Sequence, residues 1–196
     1  MKLILASGNR GKLAELRAML EPLGVEVESQ AALGILPAAE DRATFVENAL
    51  DKARHAARQS GLAALADDSG LVVPMLGGAP GIRSARYAGD DADDAANNAK
   101  LVQALGDAEG PAAHFYCAVV LLRHPEDPAP LVATARWHGK ILREPRGAAG
   151  FGYDPHFYVP ECGCTAAELD AADKNRRSHR GQAMAALIES LRAELQ

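Results

Sequence analysis

Apolar positions recur along the chain with two periods, and the switches between them mark out the elements. Leu3-Ile4-Leu5-Ala6 is a short continuous apolar run ended by Ser7-Gly8-Asn9, which predicts a buried strand running into a turn. Beyond the turn, Leu13, Leu16, Leu20 and Leu23 repeat at helical spacing up to Gly24, a stop signal, so the chain opens on a strand-turn-helix unit. Val25-Glu26-Val27-Glu28 alternates as a strand does, and residues 33–42, containing Pro37, predict an irregular connection. Thr44-Phe45-Val46-Glu47 has the Thr-x-x-Glu form of a capping box. It opens a helix carrying Phe45, Ala49, Ala53 and Ala56 on one face as far as Gly61.

The second part of the chain continues the alternation. Residues 62–66 predict a second buried strand that delivers Asp67-Asp68-Ser69-Gly70 at its end, with Leu71-Val72-Val73 extended beyond it. Gly77-Gly78-Ala79-Pro80-Gly81 is a loop, and a polar stretch at residues 90–94 leads into a helix marked by Leu101, Val102 and Leu105 and stopped by Gly106. Residues 115–122 and 131–138 predict two strands joined by a Pro-containing turn, a hairpin. Thr165-Ala166-Ala167-Glu168 repeats the capping-box pattern, and Ala183, Leu187, Leu191 and Leu195 mark an amphipathic C-terminal helix. There is no internal repeat and no linker, so residues 1–196 are expected to form one domain.

Composition narrows the fold class. With 48% apolar residues but only 5% aromatic, the core must be built from small aliphatic side chains between helices and strands, which suits an α/β protein. A net charge of −5 argues against an extended nucleic-acid surface but leaves local basic clusters free to hold small anions. Cys117, Cys162 and Cys164 are odd in number, and the last two are too close for an easy disulfide, which fits a reducing compartment. The apolar run at the N-terminus is too short for a signal peptide or membrane span, and a cytoplasmic location is expected.

Three clusters carry chemistry. The turn Ser7-Gly8-Asn9-Arg10-Gly11-Lys12 joins a strand to a helix N-terminus, whose free N–H groups and partial positive charge, with the Lys12 ammonium, suit an anion. It is not a Walker A loop, because Ala6 stands where the first Gly belongs and Leu13 follows Lys12. In Asp67-Asp68, adjacent strand residues point to opposite sides, so one carboxylate can face a ligand while the other must meet backbone or a cation. Oxygen ligands there suit Mg²⁺. The third cluster is Lys174-Asn175-Arg176-Arg177-Ser178-His179-Arg180-Gly181, four cations and a His ahead of the last helix, readable as an anion site or as a solvated basic turn. Phe151-Gly152-Tyr153-Asp154-Pro155 offers two rings and a carboxylate, which could meet a base or belong to the core. The remaining histidines, His55, His114, His124, His138 and His156, show no metal-ligand spacing, and no Ser sits in a nucleophile elbow.

Taken in order, these stretches resemble the inosine triphosphate pyrophosphatase family, the Ham1-like house-cleaning enzymes also called dITP/XTP pyrophosphatases. The resemblance runs through residues 7–12 with Glu15, Thr44-Phe45-Val46-Glu47-Asn48-Ala49 with Lys52-Ala53, and Ala66-Asp67-Asp68-Ser69-Gly70-Leu71. It continues at Gly78-Ala79-Pro80-Gly81 with Ser84-Ala85-Arg86-Tyr87, at Gly150-Phe151-Gly152-Tyr153-Asp154-Pro155, and at Ser178-His179-Arg180-Gly181, covering nearly the whole chain. It implies an elongated mixed β-sheet flanked by helices, two lobes with a central substrate cleft, and a homodimer. It also implies hydrolysis of a nucleoside triphosphate, preferably a deaminated purine such as ITP, dITP or XTP, to the monophosphate and pyrophosphate, with no nucleic-acid or membrane partner.

Residue by residue, the resemblance implies that Ser7, Gly8, Asn9, Arg10, Gly11, Lys12 and Lys174 hold the phosphates, and that Asp68 binds Mg²⁺ and serves as the base for water. Ser69, Phe151, Gly152, Tyr153, Asp154, His179 and Arg180 would contact the substrate. One stretch departs from the family pattern: Glu40-Asp41-Arg42-Ala43 stands where an acidic pair followed by Thr-Gly is usual. Glu40 is the second metal carboxylate on this reading, with Asp41 the alternative. Two rivals remain at this stage, a Maf-type nucleotide pyrophosphatase and a non-catalytic nucleotide-binding protein.

Overall fold

The apolar run at the N-terminus forms β1 (Lys2–Leu5), in which Leu3, Ile4 and Leu5 are buried, as expected of a strand covered on both faces. The structure is a computed structural model and describes residues 2–8 and 10–194. β1 pairs in parallel with β2 (Glu26–Ser29) and with β3 (Ala63–Val72), placing Leu3 opposite Val27 and Ala63. Parallel neighbours need crossovers. Helix α1 (Arg10–Leu20) connects β1 to β2, and α2 (Phe45–Ser60) connects β2 to β3. The capping box is present at Thr44, whose hydroxyl accepts from the Glu47 amide at 3.3 Å while the Glu47 carboxylate accepts from the Thr44 amide at 3.1 Å. Ala49, Ala53, Ala56 and Ala57 of α2 are fully buried, the small-residue packing that the composition implied.

Helix α3 (Asp94–Leu105) precedes β4 (Ala112–Leu122) and β5 (Leu131–Ile141), which are neighbours in the sheet as the hairpin reading expected. The sheet is completed by β6 (Phe157–Val159) and β7 (Cys164–Thr165), antiparallel to each other, with β6 also antiparallel to β5. The seven strands lie in the order β2-β1-β3-β4-β5-β6-β7, a mixed sheet with helices in an α/β fold. The chain divides into two compact units. The first comprises Met1–Asp68, Cys117–Ala135 and Arg180–Gln196, and its core gathers Leu3, Leu5, Leu16, Leu65, Val119, Met184 and Leu187. The second comprises Ser69–Tyr116 and Arg136–His179, with a core of Leu71, Leu101, Phe115, Trp137, Phe157 and Val159.

Four features differ from the sequence reading. β3 does not end before the acidic pair but runs on through Asp67, Asp68, Ser69 and Gly70 to Val72. Asp disfavours strands in general, but here each carboxylate faces a cation, which offsets the penalty for burying it, fully at Asp67 and in part at Asp68. The basic cluster is not a turn: it forms the end of α4 (Ala171–Arg177) and the start of α5 (His179–Glu194), separated by Ser178. A helix of seven residues capped by Asp170, whose carboxylate accepts from the Asp173 amide at 2.8 Å, is too short to show apolar periodicity. The strands β6 and β7 are likewise too short to be read from alternation. The pattern at Thr165 opens only a single turn of 3-10 helix, Ala166–Glu168, with the Thr165 amide donating to Glu168 Oε2 at 2.7 Å. Of the positions that predicted the last helix, Ala183 and Leu187 are buried, Leu191 packs against the core, and Leu195 lies outside the described residues.

Candidate active site

Strand alternation decides the roles of the acidic pair in the first unit. Asp67, 1% exposed, points toward α1 and α5, where Lys12 Nζ lies 3.1 Å and Arg180 Nε 3.3 Å from its Oδ2. Arg180, fully buried, is also paired through Nη1 with Glu15 of α1. Burial alone would raise the Asp67 carboxyl, but Lys12, Arg180 and Lys52 together hold it well below the usual carboxylate range. For Arg180, burial opposes the charge while Asp67 and Glu15 sustain it, leaving the guanidinium more firmly protonated than usual. Asp67 is thus the structural partner of two cations.

Asp68 points the other way, toward α2. Its Oδ2 accepts from Asn48 Nδ2 at 3.1 Å, and its Oδ1 from Lys52 Nζ at 3.1 Å. The same ammonium donates to Glu40 Oε1 at 2.7 Å. Burial raises the Asp68 carboxyl, Lys52 and Lys12 draw it down, and Glu40 pushes it up again, for a net rise above the ordinary carboxylate value. Lys52 is opposed by burial and supported by Asp68, Asp67 and Glu40, and its net shift is upward. Asn48 and Lys52 are buried on the alanine face of α2, one turn apart. Two polar residues on an otherwise apolar face are the signal by which sequence reasoning could have given them a role. Asp41, the alternative carboxylate, has a side chain that is 77% exposed, 4.0 Å from Arg42 Nε. Glu40 thus shares the Lys52 ammonium with Asp68.

At the turn that follows β1, Ser7 is buried two residues past Leu5, Gly8 is exposed, and α1 begins at Arg10. Asn9 lies outside the described residues. Lys12, near the start of α1, points its ammonium at Asp67. The structure therefore brings Lys12, Asp67, Asp68, Glu40, Lys52 and Arg180 into one charged network in the first unit. Among the described residues, no group of three or more His, Cys, Asp or Glu side chains is disposed around a metal.

The other predicted residues belong to the second unit. Asp154 is 3% exposed, and its Oδ2 accepts from the Phe151 amide at 2.9 Å and from Lys174 Nζ at 2.5 Å. The Lys174 ammonium also lies 4.7 Å from the centre of the Phe151 ring, a cation–π contact. Tyr153 takes the core alternative for its ring: it is 4% exposed, packed in the core, and its hydroxyl donates to Ser84 O at 2.8 Å. Burial pushes its phenol well above the ordinary value. Ser84 Oγ in turn donates to Gly81 O and accepts from the Leu71 amide. His179 stacks on Phe115, with ring centres 4.7 Å apart and planes 10° apart. Ser69, next to Asp68 in the chain, is partly buried in β3.

The profile of the Ham1 family matches residues 3–190. The dITP/XTP pyrophosphatase of Halorhodospira halophila is 58% identical over 200 aligned residues, covering 100% of this chain and 99% of its own. That of Nitrosomonas europaea is 55% identical, covering 97% and 94%. The solved structure of a HAM1 protein from Coxiella burnetii superposes with a TM-score of 0.90 at 48% identity, covering 98% of this chain and 99% of its own.

Proposed function

This chain belongs to the Ham1 family, and from that premise we propose that it hydrolyses non-standard purine nucleoside triphosphates, ITP, dITP and XTP, to the monophosphate and pyrophosphate. The observation that carries the reading is the full-length identity to dITP/XTP pyrophosphatases. The opposed environments of Asp67 and Asp68 supply a chemistry for it.

In this reading the turn at residues 7–12 and Lys12 hold the triphosphate, using helix N–H groups and an ammonium against phosphate charge. Asp68 accepts the proton of the attacking water, whose oxygen bonds to the α-phosphorus as the bond to the pyrophosphate oxygen breaks. A carboxyl raised by burial is a stronger base than an ordinary one, which suits this task. Asp67 keeps Lys12 in place. The donor set fits Mg²⁺: two carboxylates, Glu40 and Asp68, flank a positive charge, and Mg²⁺ commonly takes one or two carboxylates with substrate phosphates and water. Held there, Mg²⁺ would supply positive charge to the phosphoryl oxygens.

Lys174 adds charge toward the phosphates. Phe151, Gly152, Asp154, Ser69 and His179 contact the nucleoside, Tyr153 through its backbone, while Arg180 acts by holding Asp67 and Glu15. A 6-oxo purine offers an acceptor where adenine offers a donor, so N–H donors directed at that position favour hypoxanthine and xanthine and are left unpaired by adenine. We place the enzyme in the cytoplasm as a homodimer. Three free cysteines suit the first, and light scattering tests the second.

The test is incubation with ITP, XTP, dITP, ATP and GTP, with and without Mg²⁺, followed by product identification. Pyrophosphate and monophosphate from ITP, XTP and dITP, lost on chelation, are expected. Orthophosphate with a nucleoside diphosphate, or equal turnover of ATP, would overturn the proposal. Asp68→Asn is expected to bind ITP without turning it over. Full activity in that variant would remove Asp68 from its role.

A further inference from the structure

The first turn of α3 does work that its apolar pattern did not announce. Asp93 caps the helix, its Oδ1 accepting from the Ala96 amide at 2.8 Å, so Asp94 is left available for another purpose. The Asp94 carboxylate accepts from the Gly152 amide at 2.6 Å. One turn on, Asn98 Nδ2 donates to Gly152 O and to Asp94 O, each at 2.9 Å. Both partners of that amide are carbonyl oxygens, which fixes its orientation: the nitrogen must face them. Two side chains four residues apart therefore grip both polar groups of a single residue, and all of these groups belong to the second unit.

That residue sits at the middle of Phe151-Gly152-Tyr153-Asp154. Gly152 has φ +63°, a left-handed conformation that side chains disfavour, while a β-carbon there would meet nothing within 4 Å. Glycine is thus required by backbone conformation and not by space. On either side the loop is tied by the Phe151 amide to Asp154 and by the Tyr153 hydroxyl to Ser84. Asp94 and Asn98 add the grip that sets the direction of the Gly152 peptide. A charge-assisted bond to a backbone amide is among the stronger of such ties.

We infer that Asp94 and Asn98 are specificity-determining positioning residues, which hold the Gly152 peptide so that residues 151–154 meet the purine in one preset conformation. The inference rests on the reading that this loop contacts the base. A loop fixed in advance needs no ordering on binding, and fixed groups reject a base that leaves them unpaired. Loss of the grip therefore weakens binding of the correct base more than that of the wrong one. The proton transfer at Asp68 is untouched.

The experiment compares Asp94→Ala, Asp94→Asn, Asn98→Ala and Phe151→Ala, measuring kcat and KM for ITP and ATP and the melting temperature of each. Asp94→Ala and Asn98→Ala are expected to raise KM for ITP about tenfold, to lower the ITP/ATP ratio of kcat/KM by a similar factor, and to leave kcat within about twofold, since tenfold corresponds to the loss of one ordinary hydrogen bond. Asp94→Asn keeps an oxygen acceptor for the Gly152 amide and should recover most of the discrimination. If Phe151→Ala changes KM and the ratio while the Asp94 and Asn98 variants do not, the clamp is refuted and the loop reading stands. If Phe151→Ala changes neither, the loop reading fails and the inference falls with it. A uniform fall in kcat for both substrates, with no change in their ratio, would assign the clamp to folding alone and overturn it as well.

Discussion

At the scale of single residues, two adjacent carboxylates have opposite electrostatic fates because a strand sends them to opposite sides. Asp67 is buried against Lys12 and Arg180, so Asp67→Asn takes a carboxylate charge away from two cations at once, and removing one member of a buried pair costs about 3–5 kcal/mol. That loss should appear in urea titrations at neutral pH. Its pH dependence has a definite sign. The Asp67 carboxyl is held below its ordinary value in the folded protein, so its stabilisation is complete above the unfolded value of about 3.9 and is lost as the pH falls from there toward the folded value. The gap between wild type and Asp67→Asn should therefore narrow below about pH 4. A gap that stays constant on acidification would mean that Asp67 is not the titrating group. Asp68 behaves in the opposite sense, raised first by burial and further by Glu40. As the pH falls, Asp68 takes up its proton earlier than an ordinary carboxylate, and kcat/KM should decline on that limb.

At the scale of elements, the helix that presents Asn48 and Lys52 to Asp68 is anchored at its start by Thr44 and Glu47. Thr44→Ala should cost about 1 kcal/mol, the ordinary worth of an N-cap, read as a lower denaturant midpoint with unchanged slope. β3 carries a second constraint at Gly70, where an added β-carbon would collide with Gly81 O and Ser84 Oγ and reach 3.0 Å from Ser84 Cβ. Backbone cannot move aside as a flexible side chain does, so Gly70→Ala should destabilise by about 1–3 kcal/mol. Thr44 and α2 were legible in the sequence because a cap and an apolar face are local properties. The length of β3 was not, because Asp67-Asp68-Ser69-Gly70 has the composition of a turn until Lys12, Arg180 and Lys52, remote in sequence, are brought to it. The same reason hid the role of Asp94: its partner Gly152 lies in a loop, and no period links a helix start to a loop 58 residues on.

At the scale of the whole molecule, the order of motifs made the fold class and the family readable and implied two lobes, whereas the points at which the chain divides between the two units were not legible, because each unit is assembled from separated segments. Leu65 belongs to the core of the first unit and Phe157 to that of the second. The chain passes between the units at residues 68/69, 116/117, 135/136 and 179/180, and β3 contributes Ala63 through Asp68 to one and Ser69 through Val72 to the other. A strand cannot keep half its ladder while the other half melts without exposing backbone groups along its length. Leu65→Ala and Phe157→Ala, each emptying a side chain that is at most 1% exposed, should therefore cost about 2–5 and 3–5 kcal/mol respectively, from one shared stability of about 5–15 kcal/mol. Both variants should lower a single unfolding transition, with calorimetric and van't Hoff enthalpies in agreement. If instead each variant lowered one of two separate transitions and left the other in place, the units would be independent folding domains, and residues 1–196 could not be treated as a single domain.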